Sequence, residues 1–448
     1  MRDLINLFRN FFGIKFNREV AALQVSKALA LLAGFAGSVI FAWHLGPSQY
    51  GIYAIIFSLA GLISALVNFG VWPTTVNLLS EALGLGDREE VKNLVIYFLK
   101  VQLILTNFLW LLVIFFSHYI VGWVYKDQSF SFYLQIAAII NMLSIPFPLL
   151  TLAYQVFREI NRLAAWETAK KFVSVIAGVL FVVAGIGVVG IFYGLLLSEA
   201  SFFIASLIAI RWVQINHPLF PKTREIFRDF WRVSIVKYLR FGLLISVDKN
   251  LNNYVENLPG FILGVFSTPE QAGFFKVAST IGSLPQVFSS NVSRMLSSIL
   301  PYKEAQTAGS IRHFYHRVAK FGTLFTAVFM GAVFVGTKLF FERLYGPAFL
   351  PALPSLYLIL ATNIIMGYGV GFSPVVRTLK KVGTSIGLNL IALLLTLGLG
   401  YAFIPTLGAF GAAISTLGSF AVYVIFIFMI ESWLKKTNGS VGPEREKS

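Results

Sequence analysis

The sequence predicts an all-α integral membrane protein of about 12 transmembrane helices, arranged as two related six-helix lobes, and three observations carry that prediction. Hydrophobic residues make up 57% of the chain against 12% charged, a balance far outside that of a soluble domain. Apolar runs of about 20 residues recur along the whole length, which is what a ~30 Å hydrocarbon core demands of a helix. The stretch Gly46-Pro47-Ser48-Gln49-Tyr50-Gly51-Ile52-Tyr53 returns as Thr268-Pro269-Glu270-Gln271-Ala272-Gly273-Phe274-Phe275, with proline, glutamine and glycine repeated at an offset of 222 in a chain of 448 residues. The runs are too long and too aromatic for barrel strands. Lipid offers no partner to an unpaired backbone group, so a helical bundle follows.

Residues 1–18 mix Arg2, Arg9, Lys15 and Arg18 with Phe8, Phe11, Phe12 and Phe16, the pattern of a short helix lying among headgroups on the cytoplasmic side. The first apolar run is too long for a signal h-region and has no small-residue cleavage site, so it reads as a retained helix. Spans are expected at 20–44, 49–70, 94–118, 131–156, 170–188, 190–212, 239–266, 271–300, 317–341, 349–375, 383–404 and 407–433. They divide into an N-lobe over 19–215, a basic cytoplasmic linker over 216–240, a C-lobe over 241–434 and a cytoplasmic tail over 435–448. Each copy of the repeated motif reads as a tight reversal between two spans, shaped by its proline and glycine.

Lysine and arginine test the layout, because cytoplasmic segments carry the excess. The outer segments hold Lys126, Lys338 and Arg343, whereas the basic residues outside the spans otherwise fall on the side of the two termini. Further echoes follow the motif in order: Ser80-Glu81-Ala82 and Lys303-Glu304-Ala305, Tyr125 and Tyr345, Arg158 and Arg377, Gly190 and Gly408. Six spans separate the copies, an even number, so both halves insert with the same topology as a parallel repeat. Interruptions also correspond. Pro146 and Pro148 in span 4 match Gly367, Gly369 and Gly371 in span 10, and Pro259-Gly260 in span 7 matches Gly37 in span 1. Breaks at matching places point to a transport site near the midplane, although proline and glycine are also common in membrane helices.

Composition excludes several chemistries. Without cysteine there are no disulfides, thiolate metal sites or cysteine nucleophiles. A net charge of +16 reflects charge on one membrane side rather than nucleic-acid binding. No Gly-x4-Gly-Lys-Ser/Thr loop appears, so nucleotide hydrolysis is not supported. His313 and His316 are flanked by Arg312 and Arg317, which argues against a metal site there. No cofactor is expected.

Leu45-Gly46-Pro47-Ser48-Gln49-Tyr50-Gly51-Ile52-Tyr53, then Asn68-Phe69-Gly70, Ser80-Glu81-Ala82 and the Gly86-Asp87-Arg88-Glu89-Glu90 turn, resemble the polysaccharide-transporter branch of the multidrug, oligosaccharidyl-lipid and polysaccharide (MOP) flippase superfamily. So does Leu344-Tyr345-Gly346-Pro347-Ala348-Phe349. The resemblance implies two six-helix lobes in a MATE-like V, a central cavity, and alternating access that carries a lipid-linked sugar across the membrane. It also marks two departures. Many relatives have aspartate where this chain has Asn68, and many have an acidic residue in span 7 where the nearest residues here are Glu256 and Asn257.

Ionisable groups inside spans suggest a functional cavity. Lys27 in span 1 and Lys249 in span 7 sit on equivalent helices. In a two-lobe transporter they would hold a polyprenyl pyrophosphate or an acidic sugar, while Lys27 has a second reading as a side chain snorkelling to headgroups. Arg294 suits bidentate phosphate contact or snorkelling. Lys100 and Lys276 read as snorkelling residues. Among the acids, Asp248, Asn252 and Glu256 share a face by four-residue spacing, and Asp248, Glu256 and Glu199 are candidates for ion coupling or for structural ion pairs. Asp248 is expected to pair with Lys27 or Arg294.

The expected function is a flippase for a polyprenyl-pyrophosphate-linked oligosaccharide in the inner membrane, not an enzyme. Its partners are membrane lipid, the lipid-linked substrate and polysaccharide assembly proteins, with no nucleic acid and a monomeric state. A cation or multidrug antiporter of the same fold and a membrane-embedded polysaccharide enzyme remain the alternatives. Basic residues outnumber acidic ones among the intramembrane candidates, which favours anionic cargo over the antiporter.

Overall fold

The computed structural model describes residues 14–285, Ser293, Leu296, 310–369, 371–379 and 381–439. Most of the interfacial segment 1–18 and of the tail 435–448, together with Arg294 and Lys303-Glu304-Ala305, lies outside the described residues. Among those described, every regular element is helical. Nine helices there are long and apolar enough to cross a membrane, so the chain is a multi-pass membrane protein. The first of the nine, Leu23–Val67, holds both expected spans 1 and 2. It lies within α1 (Ile14–Val67), whose two legs meet at Gly46 with φ 67° and ψ 176°, a backbone conformation that only glycine adopts freely. Expected span 7 corresponds to α10 (Val236–Phe266), which is not among the nine because Lys249, Glu256 and several asparagines break up its apolar run.

The chain folds into two compact units, Met1–His44 with Ile63–Asn250, and Leu45–Leu62 with Leu251–Ser448. In the first unit the sequence-based layout needs two corrections. Residues 71–93, which the sequence leaves only as the segment between spans 2 and 3, contain α2 (Val71–Leu85) and the start of α3 (Arg88–Lys100). The chain breaks at Asn68–Gly70, where Asn68 Oδ1 accepts from Gly70 N at 3.1 Å and Asn250 Nδ2 donates to Asn68 O at 2.8 Å, and again at Gly86–Asp87 between α2 and α3. α2 then buries Leu79 and Ala82 with Val95 and Phe98 of α3 in one apolar core. Burial of that face, not the propensity of a short polar-edged segment, supports the helix. The second correction concerns span 5. α7 (Ile160–Phe181) starts ten residues before the expected position 170, so Lys170 and Lys171 lie within a helix that crosses the membrane.

The remaining elements of this unit follow the expected order. α3 runs through a π-helical stretch, Val101–Thr106, into α4 (Asn107–Tyr125). Span 4 is interrupted as the sequence predicts, with α5 (Ser131–Leu143) ending before Pro146 opens α6 (Pro146–Val156), because proline is tolerated in a first turn but not in a helix interior. α7 pairs with α8 (Val188–Asn216). A Cβ at Gly194 would lie 2.2 Å from Gly178 N, and one at Gly37 of α1 2.7 Å from Val175 of α7. Gly37 therefore serves close helix packing rather than a break in span 1.

The linker in this unit carries α9 (Thr223–Asp229), held by ion pairs. Arg88 meets Glu225 at 2.8 Å, Lys92 meets Asp229 at 2.8 Å and Glu89 at 2.7 Å, and Lys237 meets Glu90 at 3.0 Å. Hydrogen bonds from Arg228 and then Lys92 hold the Asp229 carboxyl well below the usual carboxylate range. The Lys222 backbone N–H, followed by the charge of Arg88, lowers that of Glu225. A depressed carboxylate contributes stability that is complete above its unfolded value of about 4 and fades as pH falls through the folded value. Asp229→Asn should therefore loosen the linker at neutral pH as strong acid would. The check is limited trypsin digestion, where cleavage after Arg228 and Arg232 should speed up several-fold; an unchanged rate removes the anchoring role.

In the second unit α11 (Pro269–Gly282) begins at the returning motif, with Thr268 Oγ1 accepting from Gln271 N at 3.4 Å and Pro269 in the first turn. α12 (Ser310–Tyr345) is followed by α13 (Leu353–Met366), a short 3-10 turn Gly367–Gly369 and α14 (Phe372–Thr378), so span 10 is interrupted where its glycines predict. α10, by contrast, runs through Pro259 without a break, and a Cβ at Gly260 would lie 2.2 Å from Ser58 Oγ. The expected interruption there is a close approach instead. α15 (Val382–Leu407) and α16 (Ala409–Gly439) form a hairpin. Its turn is fastened by Gln271, whose Oε1 accepts from Ala409 N at 2.9 Å and so satisfies an orphan donor at the start of α16. Gln271→Ala should destabilise the protein by about 1–2 kcal/mol. Gln271→Glu, which keeps the acceptor, should keep most of it. Thermal unfolding in detergent distinguishes them, and equal Tm values for the two variants would refute the cap.

Candidate functional site

The second unit encloses a cavity of about 510 Å³ between the second leg of α1, α10, α11, α13 and α16. Each wall brings polar groups by helical spacing. On α11 and at its C-cap, Lys276, Ser279, Thr280 and Ser283 recur at intervals of three and four, which sets them on one face. Asn252 and Glu256, one turn apart on α10, both line the cavity, with Asn363 of α13 and Thr416 and Ser419 of α16 opposite them. α11 is held at its far end by Asn363, whose Nδ2 donates to Gly282 O at 3.1 Å.

The hydrogen bonds give this cavity a chemical bias. Ser279 Oγ donates to Lys276 O at 3.0 Å, Ser283 Oγ to Thr280 O at 2.9 Å, Thr416 Oγ1 to Ala412 O at 3.0 Å and Ser419 Oγ to Thr416 O at 2.7 Å. A hydroxyl has one proton and two lone pairs. With the proton given to its own helix, each oxygen offers acceptor capacity to the interior. Glu256 adds a carboxylate and Lys276 the one ammonium of the described lining, its Nζ 5.8 Å from the Tyr53 ring centroid. The walls suit a ligand rich in hydrogen-bond donors. The described lining holds one carboxylate and one ammonium, so its formal charges balance.

The other sequence candidates lie elsewhere. Lys249 is exposed in the first unit, its Nζ 6.0 Å from the Trp72 ring centroid. Lys27 is half-buried on α1 in the same unit. Glu199 pairs with Lys170 at 2.8 Å, with both side chains largely buried, and the same ammonium lies 4.1 Å from the Phe147 ring centroid. Arg294 and the side chain of Asp248 lie outside the described residues. Lys100 is buried and donates to Val233 O at 3.0 Å, so its charge is held by linker carbonyls rather than by headgroups. Sequence reasoning finds the Asn252–Glu256 face of α10 but misses Asn363 and the hydroxyl lining. The spacing of polar residues along α11 is the signal that could have found it.

A sequence profile of polysaccharide biosynthesis proteins matches residues 16–303, well over half of the chain. The chain belongs to that family. Over 270 residues it is 23% identical to the probable low-salt glycan biosynthesis flippase Agl15 of Haloferax volcanii, an alignment covering 60% of this chain and 51% of that relative. The chain thus spans about half the length of the curated relative it matches. Solved structures show the same fold. The lipid II flippase MurJ in an inward closed conformation aligns with TM-score 0.71 at 16% identity, over 91% of this chain and 87% of that one. An inward-facing multidrug resistance MATE transporter of the MOP superfamily aligns with TM-score 0.67 at 15% identity, over 92% and 96%. This polysaccharide biosynthesis protein thus has the all-helical MOP-type fold that its motifs predict. Among its described residues no group of three or more His, Cys, Asp or Glu side chains could hold a metal.

Proposed function

We propose that this protein is a flippase that moves a lipid-linked oligosaccharide, carried on a polyprenyl pyrophosphate, across the inner membrane by alternating access, without enzymatic chemistry. The observation that carries the reading is the acceptor-rich cavity of the second unit in a member of the polysaccharide biosynthesis family. Sugar hydroxyls and amides are donors, and a lining of serine, threonine and asparagine meets them without the desolvation of a fixed ion. Agl15, named a probable glycan biosynthesis flippase, supports the same direction. The proposal retains an N-lobe over 19–215 and a C-lobe over 241–434 joined by 216–240, with both termini cytoplasmic. It assigns Lys27 and Lys249 to the pyrophosphate and Glu256 to the sugar or to a coupling cation.

The test is transport in proteoliposomes of a fluorescent polyprenyl-pyrophosphoryl oligosaccharide. Wild-type protein should move it between leaflets. Lys27→Ala combined with Lys249→Ala should slow that movement roughly tenfold or more, as expected when charge-assisted contacts are lost, with no loss of folded protein. Undiminished flipping in the double variant would remove the two lysines from the proposal, and no flipping by wild type would remove the proposal itself. Glu256 within an acceptor-rich cavity is the observation that favours the antiporter reading. Proton-driven efflux of a cationic dye by the same vesicles, with no movement of the lipid-linked sugar, would select that reading.

A further inference from the structure

The linker between α8 and α10 leaves one face unexplained by transport. α8, long and apolar enough to cross a membrane, ends at Asn216, and α10 starts at Val236, so the intervening segment leads out of a candidate span. Its inner side is anchored, with Phe220 and Ile226 buried in the core of the first unit. Its outer side carries Phe227 and Trp231, four residues apart and 76% and 77% exposed. Large aromatics held open to water are unfavourable by a few kcal/mol each if fully solvated, whereas tryptophan is enriched at the membrane–water interface.

Cations accompany them. Beside this face lies a cleft of about 420 Å³ lined by Lys92, Arg228, Arg232 and Lys237, with Glu89 and Asp229 as the acidic residues of the lining. Asp229 is shared among Arg228, Lys92 and Arg232. A guanidinium has five N–H donors. Arg228 spends two on Asp229, at 3.2 Å each, and Arg232 one, at 3.5 Å. Both side chains stay mostly exposed, so the cleft presents unfilled forked donors, the geometry that suits phosphate oxygens. Asp229 holds the two arginines side by side and leaves the cleft net positive.

We propose that Phe227 and Trp231, with the Arg228–Arg232–Lys237 cleft, form a docking site for the phosphate-bearing headgroup of an anionic membrane lipid. The aromatics enter the interface while the cleft takes the headgroup phosphate. Aromatic insertion beside paired arginines is what distinguishes a lipid from a free phosphate, since an inorganic ion needs no apolar partner. The site is separate from the transport cavity and does not depend on the flippase reading.

The experiment uses full-length protein in detergent, loaded with equal amounts of phosphatidylglycerol and phosphatidylcholine and analysed for retained lipid by native mass spectrometry. Wild type should retain phosphatidylglycerol roughly tenfold over phosphatidylcholine, the scale expected of two basic side chains at an anionic surface. Arg228→Gln with Arg232→Gln should abolish the preference, and Phe227→Ser with Trp231→Ser should lower retention of both lipids. Wild type is tested separately with a headgroup-photoreactive phosphatidylglycerol, which should label the 222–237 peptide more than a phosphatidylcholine probe does. That arm stands even if a variant fails to fold. Equal labelling by both probes, an unchanged preference in the arginine variant, or displacement of phosphatidylglycerol by inorganic phosphate would each overturn the proposal. A failed flipping assay with lipid retention intact would sink the flippase reading alone.

Discussion

Gly51→Val is expected to abolish stable folding of the second unit, or to lower the Tm in detergent more than Gln271→Ala or Glu199→Ala does. A Cβ on Gly51 would lie 1.5 Å from the Pro269 carbonyl oxygen, and one on Gly273 would lie 2.2 Å from that of Pro47. Ordinary contact begins near 3.4 Å, so the obstruction is backbone and no side-chain rotation relieves it. The two glycines and the two prolines are among the repeated residues of the opening motif, and each glycine sits on the other copy's proline carbonyl. Small residues permit this approach where apolar burial between membrane helices provides no drive. Around it Tyr50 and Phe274 each meet the Phe349 ring edge-on, at 6.2 and 6.1 Å, so a displaced hairpin would also unpack these rings. Overpacking that forces backbone apart costs about 3 kcal/mol or more. Thermal unfolding of Gly51→Val, Gly51→Ala and Gly273→Ala in detergent provides the measure. Wild-type Tm values in all three would show that the contact contributes nothing.

Glu256→Ala is expected to cut transport roughly tenfold to a hundredfold, the range for a charge-assisted hydrogen bond to a ligand, while leaving the Tm near that of wild type. The separation of the two readouts follows from position. Glu256 lines the cavity and is exposed within it, so its removal leaves no hole in a packed core. Glu199, in contrast, is committed to Lys170, and Glu199→Ala should lower stability by stranding a largely buried ammonium. Glu256→Gln adds a diagnostic. A sugar hydroxyl can still donate to the amide oxygen, so partial retention of transport points to hydrogen bonding. Complete loss in both Glu256→Gln and Glu256→Ala points to a cation or proton held by the carboxylate. Transport by Glu256→Ala at the wild-type rate would exclude the residue from function.

The fold is legible in the sequence because membrane crossing imposes a composition, and the apolar runs therefore announce themselves. Interruptions at Pro146 and Gly367 are legible for the same local reason, since proline and glycine act on the backbone that carries them. What composition cannot show is where a helix ends once protein rather than lipid covers it. α2 falls between the expected spans because its helix depends on burying Leu79 and Ala82 against α3, and α7 reads short because Lys170 finds Glu199 across the helix pair. Pro259-Gly260 misleads in the opposite sense, as its glycine accommodates Ser58 instead of ending a helix.

The sequence by itself determined that the chain lives in a membrane, that it is helical, and that the Pro47 and Pro269 motifs are related reversals, because hydropathy and backbone stereochemistry are written residue by residue. Only the tertiary structure decided that those two motifs meet through Gly51 and Gly273, and that Glu256 opens into a hydroxyl-lined cavity while Lys249, seven residues earlier on the same helix, stands beside Trp72. These are relations between distant segments. A side chain's partner depends on which helix packs beside it, and the polar spacing of Lys276, Ser279 and Thr280 marks a face of α11 in sequence without showing which helices close the cavity in front of it.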